Sequence, residues 1–274
     1  MHTSRLYLQQ MIRIVFAICV LSTLASNSLG QSLKKIEDEL LDHLHKLEKA
    51  SNYGGTSDYD VLGKENKALR GAFIKYGSRS DVLTYSFPRL KDKVFLVTSK
   101  DGKLRTYSWD SEEGGTMHNF YTVYQFRGKS GKVHVWAEPY SQDIEETGAG
   151  GFTTEIFQTD TVSGPVYITV STFIGSTSYA GQFISGAKIR GERLDRNPKI
   201  IRTSKGLTSE INFAYDFFSV VNHPERPIKL VFYDEAKKEF RFPVVIEDDD
   251  TPQGRVTDKF ITYRFNGQYF VKVS

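Results

Sequence analysis

The chain has 274 residues, of which 39% are hydrophobic and 25% charged, and a formal net charge of +3. That length is enough for one or two domains and a sizeable core without covalent staples, and the ordinary composition excludes a disordered or collagen-like chain. With 36 Lys and Arg against 33 Asp and Glu and no basic stripe, no nucleic-acid partner is expected.

Arg5 and Arg13 precede the apolar run Ile14–Ala25, and small Ser28 and Gly30 stand three and one positions before Gln31. This is the pattern of a secretory signal peptide, residues 1–30, cleaved near Gly30/Gln31. The run is shorter than the roughly 20 residues a bilayer span needs, so no stable transmembrane anchor is expected. The predicted location is secreted or periplasmic. Loss of Arg5 and Arg13 would take the charge from +3 to +1. Cys19, the only cysteine, falls inside the leader, with Ile18 rather than a small residue before it, which argues against lipid attachment. The mature chain would then have no disulfide, no zinc–thiolate centre and no cysteine nucleophile, which suits a bacterial envelope. No cofactor and no metal are expected.

Residues 31–78 read as a helical segment. Ile36, Leu40, Leu44 and Leu47 recur at helical spacing after a Ser32 N-cap, with His43 and His45 expected in solvent. A second helix is predicted over Asp58–Tyr76, with Leu62, Leu69, Phe73 and Tyr76 on one side and Gly77 as its stop.

From Leu83 onward only strands are predicted, making 79–274 an antiparallel β domain. Asp101-Gly102 between two alternating runs signals a two-residue type I′ hairpin. It would place Leu96 opposite Tyr107 and Val94 opposite Trp109, with Thr98 and Arg105 as a polar tip. The acidic, glycine-containing loop Ser111–His118 follows, then strands Phe120–Phe126 and Val133–Ala137 joined at Gly128–Gly131. Both faces of the first hairpin carry apolar residues, which belongs in a stack of sheets or a propeller blade.

Two resemblances rest on this stretch. Ser99-Lys-Asp-Gly-Lys-Leu-Arg105 followed by Tyr107-Ser-Trp-Asp110 resembles the inner hairpin of a WD-type β-propeller blade, without that repeat's Gly-His partner motif. Tyr107–Asp110 with Gly114-Gly-Thr-Met-His118, and Val220-Val-Asn-His-Pro-Glu-Arg-Pro227, are similar to a group of uncharacterised secreted bacterial proteins. The second resemblance implies export but no activity and no catalytic residue.

Further strands are predicted over Thr154–Gln158, Val166–Ile174, Phe183–Ile189, Ile200–Thr203, Ile211–Val221, Ile228–Tyr233, Phe240–Ile246, Phe260–Phe265 and Tyr269–Val273, the last two joined by a type I′ turn at Asn266-Gly267. Glu138–Gly151 and Asn222–Pro227 read as loop and turn, and Glu247–Asp250 as a solvated acidic run. Ser185-Gly-Ala-Lys188 spells S-x-x-K, but in a strand its ends point to opposite faces.

The fold class is therefore mainly β: an antiparallel meander of about a dozen strands with two N-terminal helices, in the form of a small or degenerate propeller, or else a β-sandwich. The candidate site is Asp110, Glu112, Glu113 and His118 with Trp109, and further His134 and Trp136. Paired carboxylates could act as acid and base on a glycoside, and the aromatics could be sugar platforms. A non-enzymatic binding module for an envelope glycan or protein is the expected function. A hydrolase using the Asp110–His118 loop and an inhibitor or immunity-type protein are the alternatives.

Overall fold

The computed structural model describes residues 33–52, 56–137, 150–220 and 228–273. The expected leader and its cleavage point, the Ser32 cap, the loop over 138–149 and the turn Asn222–Pro227 lie outside the described residues. Strand accounts for 43% and helix for 21%, so β-structure dominates as expected.

Helix α1 covers 33–50 and α2 covers Tyr59–Gly77, with the Asp58 side chain accepting the Val61 amide at its start. The leucine spacing that predicts both helices also buries them. Leu40, Leu44 and Leu47 share one core with Leu62, Leu69 and Phe73, and with Tyr107, Trp109 and Val123 of the first sheet. Each such side chain contributes about 1.5–3 kcal/mol through burial, so the helical segment is held mainly by this shared core rather than by helix propensity. His43 is not the solvated residue expected: its ring meets Glu65 Oε2 at 2.6 Å and ties α1 to α2.

Strands do not begin at Leu83. Ser80–Thr84 forms a short helix α3, with Arg79 paired to Asp81 and Asp81 accepting the Val82 amide. Arg105, expected with Thr98 at the polar tip of the hairpin, is buried and donates to the carbonyls of Val82 and Tyr85, so it clamps α3.

The first sheet is β1 (Phe95–Thr98), β2 (Leu104–Asp110), β3 (Phe120–Arg127) and β4 (Val133–Ala137), in that order and antiparallel. Leu96 lies opposite Tyr107, as the sequence predicts. The turn is of another type. Of Asp101 and Gly102 only Gly102 has positive φ, and its amide closes on Ser99 O, whereas type I′ needs positive φ at both.

The middle sheet contains β5 (Phe152–Thr159), β6 (Val166–Ile174), β7 (Tyr179–Arg190) and β8 (Arg193–Asp195), with β11 (Glu210–Asp216) on the far side of β7. The outer sheet runs β10 (Gly206–Thr208), β9 (Ile201–Thr203), β15 (Phe270–Lys272), β14 (Arg255–Phe265), β13 (Glu239–Ile246) and β12 (Phe232–Asp234). The β9–β15 pair is parallel, and every other pair in the three sheets is antiparallel. The expected strand over Ile211–Val221 ends at Asp216, whose carboxylate takes the Phe218 amide and turns the chain into a 3₁₀ helix, Phe217–Val220. Asn266-Gly267 is offset by one residue: Asn266 pairs with Tyr269, and Gly267 and Gln268 form the loop, with positive φ at Gly267 alone.

Strand alternation sets the layers. On β6, Val166, Ile168 and Val170 enter a core with Phe240, Phe242, Tyr263 and Phe270 of the outer sheet. Tyr167, between them, faces the other way into a core with Leu104, Tyr124 and Phe126 of the first sheet. The order is thus helices, first sheet, middle sheet, outer sheet. The helices cover the free face of the first sheet, and among the described residues none of the three sheets closes into a barrel. The stack follows sandwich packing, extended to three sheets, rather than the ring of a propeller.

Candidate functional site

The acidic loop is pinned by the helices below it. Trp109 is fully buried, lies 5.3 Å from the Phe73 ring and donates its indole N–H to Asn66 Oδ1 at 3.0 Å. Asn66 in turn donates to the Ser111 carbonyl at 2.8 Å. Trp109 is therefore a core residue and cannot be a sugar platform. Its aromatic partners in the helix core, not its place beside the acids, decide its position.

Each acid of the loop has a different partner. Asp110 meets Nδ1 of His118 through Oδ2 and accepts the Glu112 amide through Oδ1. Glu112, at φ 60°, accepts the Ser51 hydroxyl at 2.8 Å. Glu113 accepts the Tyr121 hydroxyl at 3.3 Å. Gly114 permits the tight return, since a Cβ there would lie 1.9 Å from Met117 O. The Asp110 carboxylate on its ring holds His118 above the ordinary histidine value, and burial raises Glu113. The loop thus contains one histidine–carboxylate pair, with the other two acids turned to separate hydroxyls. Among the described residues, no three His, Cys, Asp or Glu side chains are grouped as a metal ion would need.

His134 and Trp136 do not join it. Asp110 lies opposite Phe120, Trp136 opposite Tyr124 and His134 opposite Phe126. Four and six residues of β3 separate those levels, roughly 13 and 20 Å at about 3.3 Å per residue. His134 meets Glu192 Oε2 at 2.6 Å, and Trp136 lies 3.9 Å from the Arg196 guanidinium, which also covers Tyr124.

Arg196 leads to a cleft between the first and middle sheets, about 250 Å³ in volume. Thr122 of β3, Thr169 and Ser171 of β6, Ser185 of β7, Ser209 and Glu210 give it a polar lining, with Tyr124 and Phe183 as its rings. Ser185 donates to Glu210 Oε2 at 2.7 Å, so its hydroxyl is committed to a carboxylate and not to Lys188. Sequence reading missed this lining. The signal was present in Val166–Ile174, where Thr169 and Ser171 alternate with the apolar Ile168 and Val170, but a polar face of a middle strand has no meaning until the facing sheet is known.

The fold and cleft define a layered, mainly β protein with a helical cover. No family model matches the chain, and neither a curated protein nor a solved structure matches it. No helix among the described residues is long and apolar enough to cross a membrane.

Proposed function

We propose that the protein is an exported, non-enzymatic binding module of a bacterial envelope, and that its ligand is a neutral glycan held in the cleft between the first and middle sheets. The observation that carries this reading is the row of hydroxyls, Thr122, Thr169, Ser171, Ser185 and Ser209, facing one another across a single concave surface beside Tyr124. Hydroxyls and a carboxylate can exchange hydrogen bonds with sugar hydroxyls, and rings fit sugar C–H faces. The cleft is smaller than the roughly 300–1,000 Å³ usual for drug-sized ligands, which suits a terminal sugar. Titrating the purified protein with neutral oligosaccharides, followed by calorimetry, tests this. Ser171→Val and Ser185→Ala should each weaken binding about tenfold. Unchanged affinity in both would sink the assignment. Export rests on the leader; the protein isolated from the envelope should begin at Gln31.

The Asp110–His118 pair favours a second reading, a hydrolase in which His118 moves a proton and Asp110 orients it. Alanine at both positions would abolish turnover of an envelope glycan in that case, yet would leave binding in the cleft intact. An inhibitor or immunity-type role would appear instead as a protein captured from envelope extracts.

A further inference from the structure

At the far end of the same interface, beyond the buried Leu104 and Phe126, strand ends and turns deliver four cations to one cavity of about 540 Å³. Lys103 precedes β2, Arg127 ends β3, Lys129 lies in the β3–β4 turn and Arg190 ends β7. They come from two sheets, so only the stacking of the sheets brings them together.

Their charge is incompletely balanced. Lys103 lies 3.8 Å from Asp101 Oδ2, an oxygen that already accepts the Tyr167 hydroxyl. Arg190 donates to Asp195 at 2.8 Å. Arg127 donates to the carbonyl of Gly131, a neutral partner, at 3.0 Å. The Lys129 ammonium has no hydrogen-bond or ion-pair partner among the described residues. A third carboxylate, Glu192, accepts the Ser130 amide at 2.8 Å beside Gly128 of the same turn and meets His134, so three carboxylates stand among the four cations and one histidine. Elsewhere the chain interleaves its charges across strands and layers, as in Arg264 with Glu239 and Lys229 with Glu155. Scattered surface lysines would stay apart in water. Here two guanidinium groups are already fixed by protein acceptors, so little side-chain freedom remains to be lost when an anion arrives.

We infer that this cavity is a second binding site, for a small molecule carrying phosphate or sulfate groups. Planar guanidinium forks and a mobile ammonium match the tetrahedral oxyanion, the forks by paired hydrogen bonds and the ammonium as a point charge. The site is independent of the hydroxyl cleft, and either can fail without the other.

Calorimetric titration of the purified protein at low ionic strength tests it, with inorganic pyrophosphate in one arm and a sulfated disaccharide in the other. At least one probe should bind saturably at a single site, and more weakly as salt is added. Arg127→Gln with Lys129→Glu should weaken that binding at least tenfold. Lys129→Glu alone, which removes no internal contact, should weaken it about threefold and keeps the test readable if the double variant misfolds. Lys205→Glu with Lys272→Gln, an equal charge change on the outer sheet, should leave it unaltered. The inference is overturned if neither probe saturates at low millimolar concentration, or if the outer-sheet variant weakens binding as much as the cavity variant. The probe that binds identifies phosphate or sulfate.

Discussion

Asn66 shows how one buried amide can hold an entire loop in register. It is fully buried, accepts from Trp109 and donates to the Ser111 carbonyl, so both ends of its side chain are used. Asn66→Ala strands an indole N–H and a carbonyl at once, and should cost about 2–4 kcal/mol in urea denaturation. Asn66→Ala with Trp109→Phe should cost less than the two single losses combined by about 1 kcal/mol, because each single variant orphans the other's partner. Strict additivity would mean that the contact carries no energy. His118 gives a second test at this scale. Its folded value is raised above the unfolded 6.5, first through the Asp110 hydrogen bond. The ionic part of the contact is therefore fully present below about pH 6.5 and is lost as pH rises through the raised value. The pair is partly exposed, so that part is worth about 1 kcal/mol or less. In NMR titration the His118 ring should titrate above 6.5, and Asp110→Asn should bring it back down; an unmoved midpoint in that variant would remove Asp110 as the cause.

Helix α2 makes the next scale concrete through Gly77. The sequence marks this glycine as a helix stop, a role that usually uses the left-handed region, yet its φ is not positive and the cap is Ser78 in ordinary helical geometry. The glycine is needed for proximity instead. A Cβ at Gly77 would lie 2.6 Å from Val135 Cγ2, and Gln125 reaches the Gly77 carbonyl at 2.8 Å. Valine is stiff at χ1, so Gly77→Ala should destabilise by about 1–3 kcal/mol, and Val135→Ala in the same chain should recover much of that. A stop glycine would give no such recovery, which the denaturation midpoints of the three variants would reveal. The same element shows what could be read beforehand. The period of Leu62, Leu69 and Phe73 is a property of the helix alone, and it was legible; the meaning of Gly77 depends on β4, some sixty residues later in the chain, and it was not. The hairpins divide in the same way. Counting outward from the centre of the turn gives the Leu96–Tyr107 pair, but whether Asp101 or Asn266 takes positive φ depends on what holds the turn from outside. Asp101 donates its amide to Gln158 and accepts from Tyr167, both in the middle sheet. The candidate site was legible as a loop of acids around one histidine. Its separation from Trp136, and the burial of Trp109, were fixed by partners distant in sequence.

At the scale of the molecule, the middle sheet belongs to two cores at once. Ile168 faces the outer sheet and Tyr167, its neighbour, faces the first sheet; both are fully buried. Tyr167 also donates to Asp101 at 2.9 Å, and its hydroxyl is pushed far above the ordinary tyrosine value, first by burial and then by Asp101. A β6 displaced on one face is displaced on the other, since alternate side chains share one backbone. The layers should therefore unfold together. Ile168→Ala creates a cavity only between the middle and outer sheets and should cost about 2–5 kcal/mol. The chain's two tryptophans, Trp109 and Trp136, both lie in the first sheet, remote from that cavity. Their fluorescence should nonetheless report a lower denaturation midpoint, shifted as much as the far-ultraviolet dichroism of the helices and sheets together. If the fluorescence midpoint stays in place while dichroism shifts, the outer sheet unfolds by itself, and Tyr167 does not couple the layers. Tyr167→Phe separates the two causes of coupling. It keeps the ring packed against Leu104 and Phe126 and removes only the bond to Asp101, so it should lower stability by about 1–2 kcal/mol and leave a single transition. A split transition in that variant would show that the hydrogen bond, rather than the shared backbone of β6, joins the first sheet to the rest.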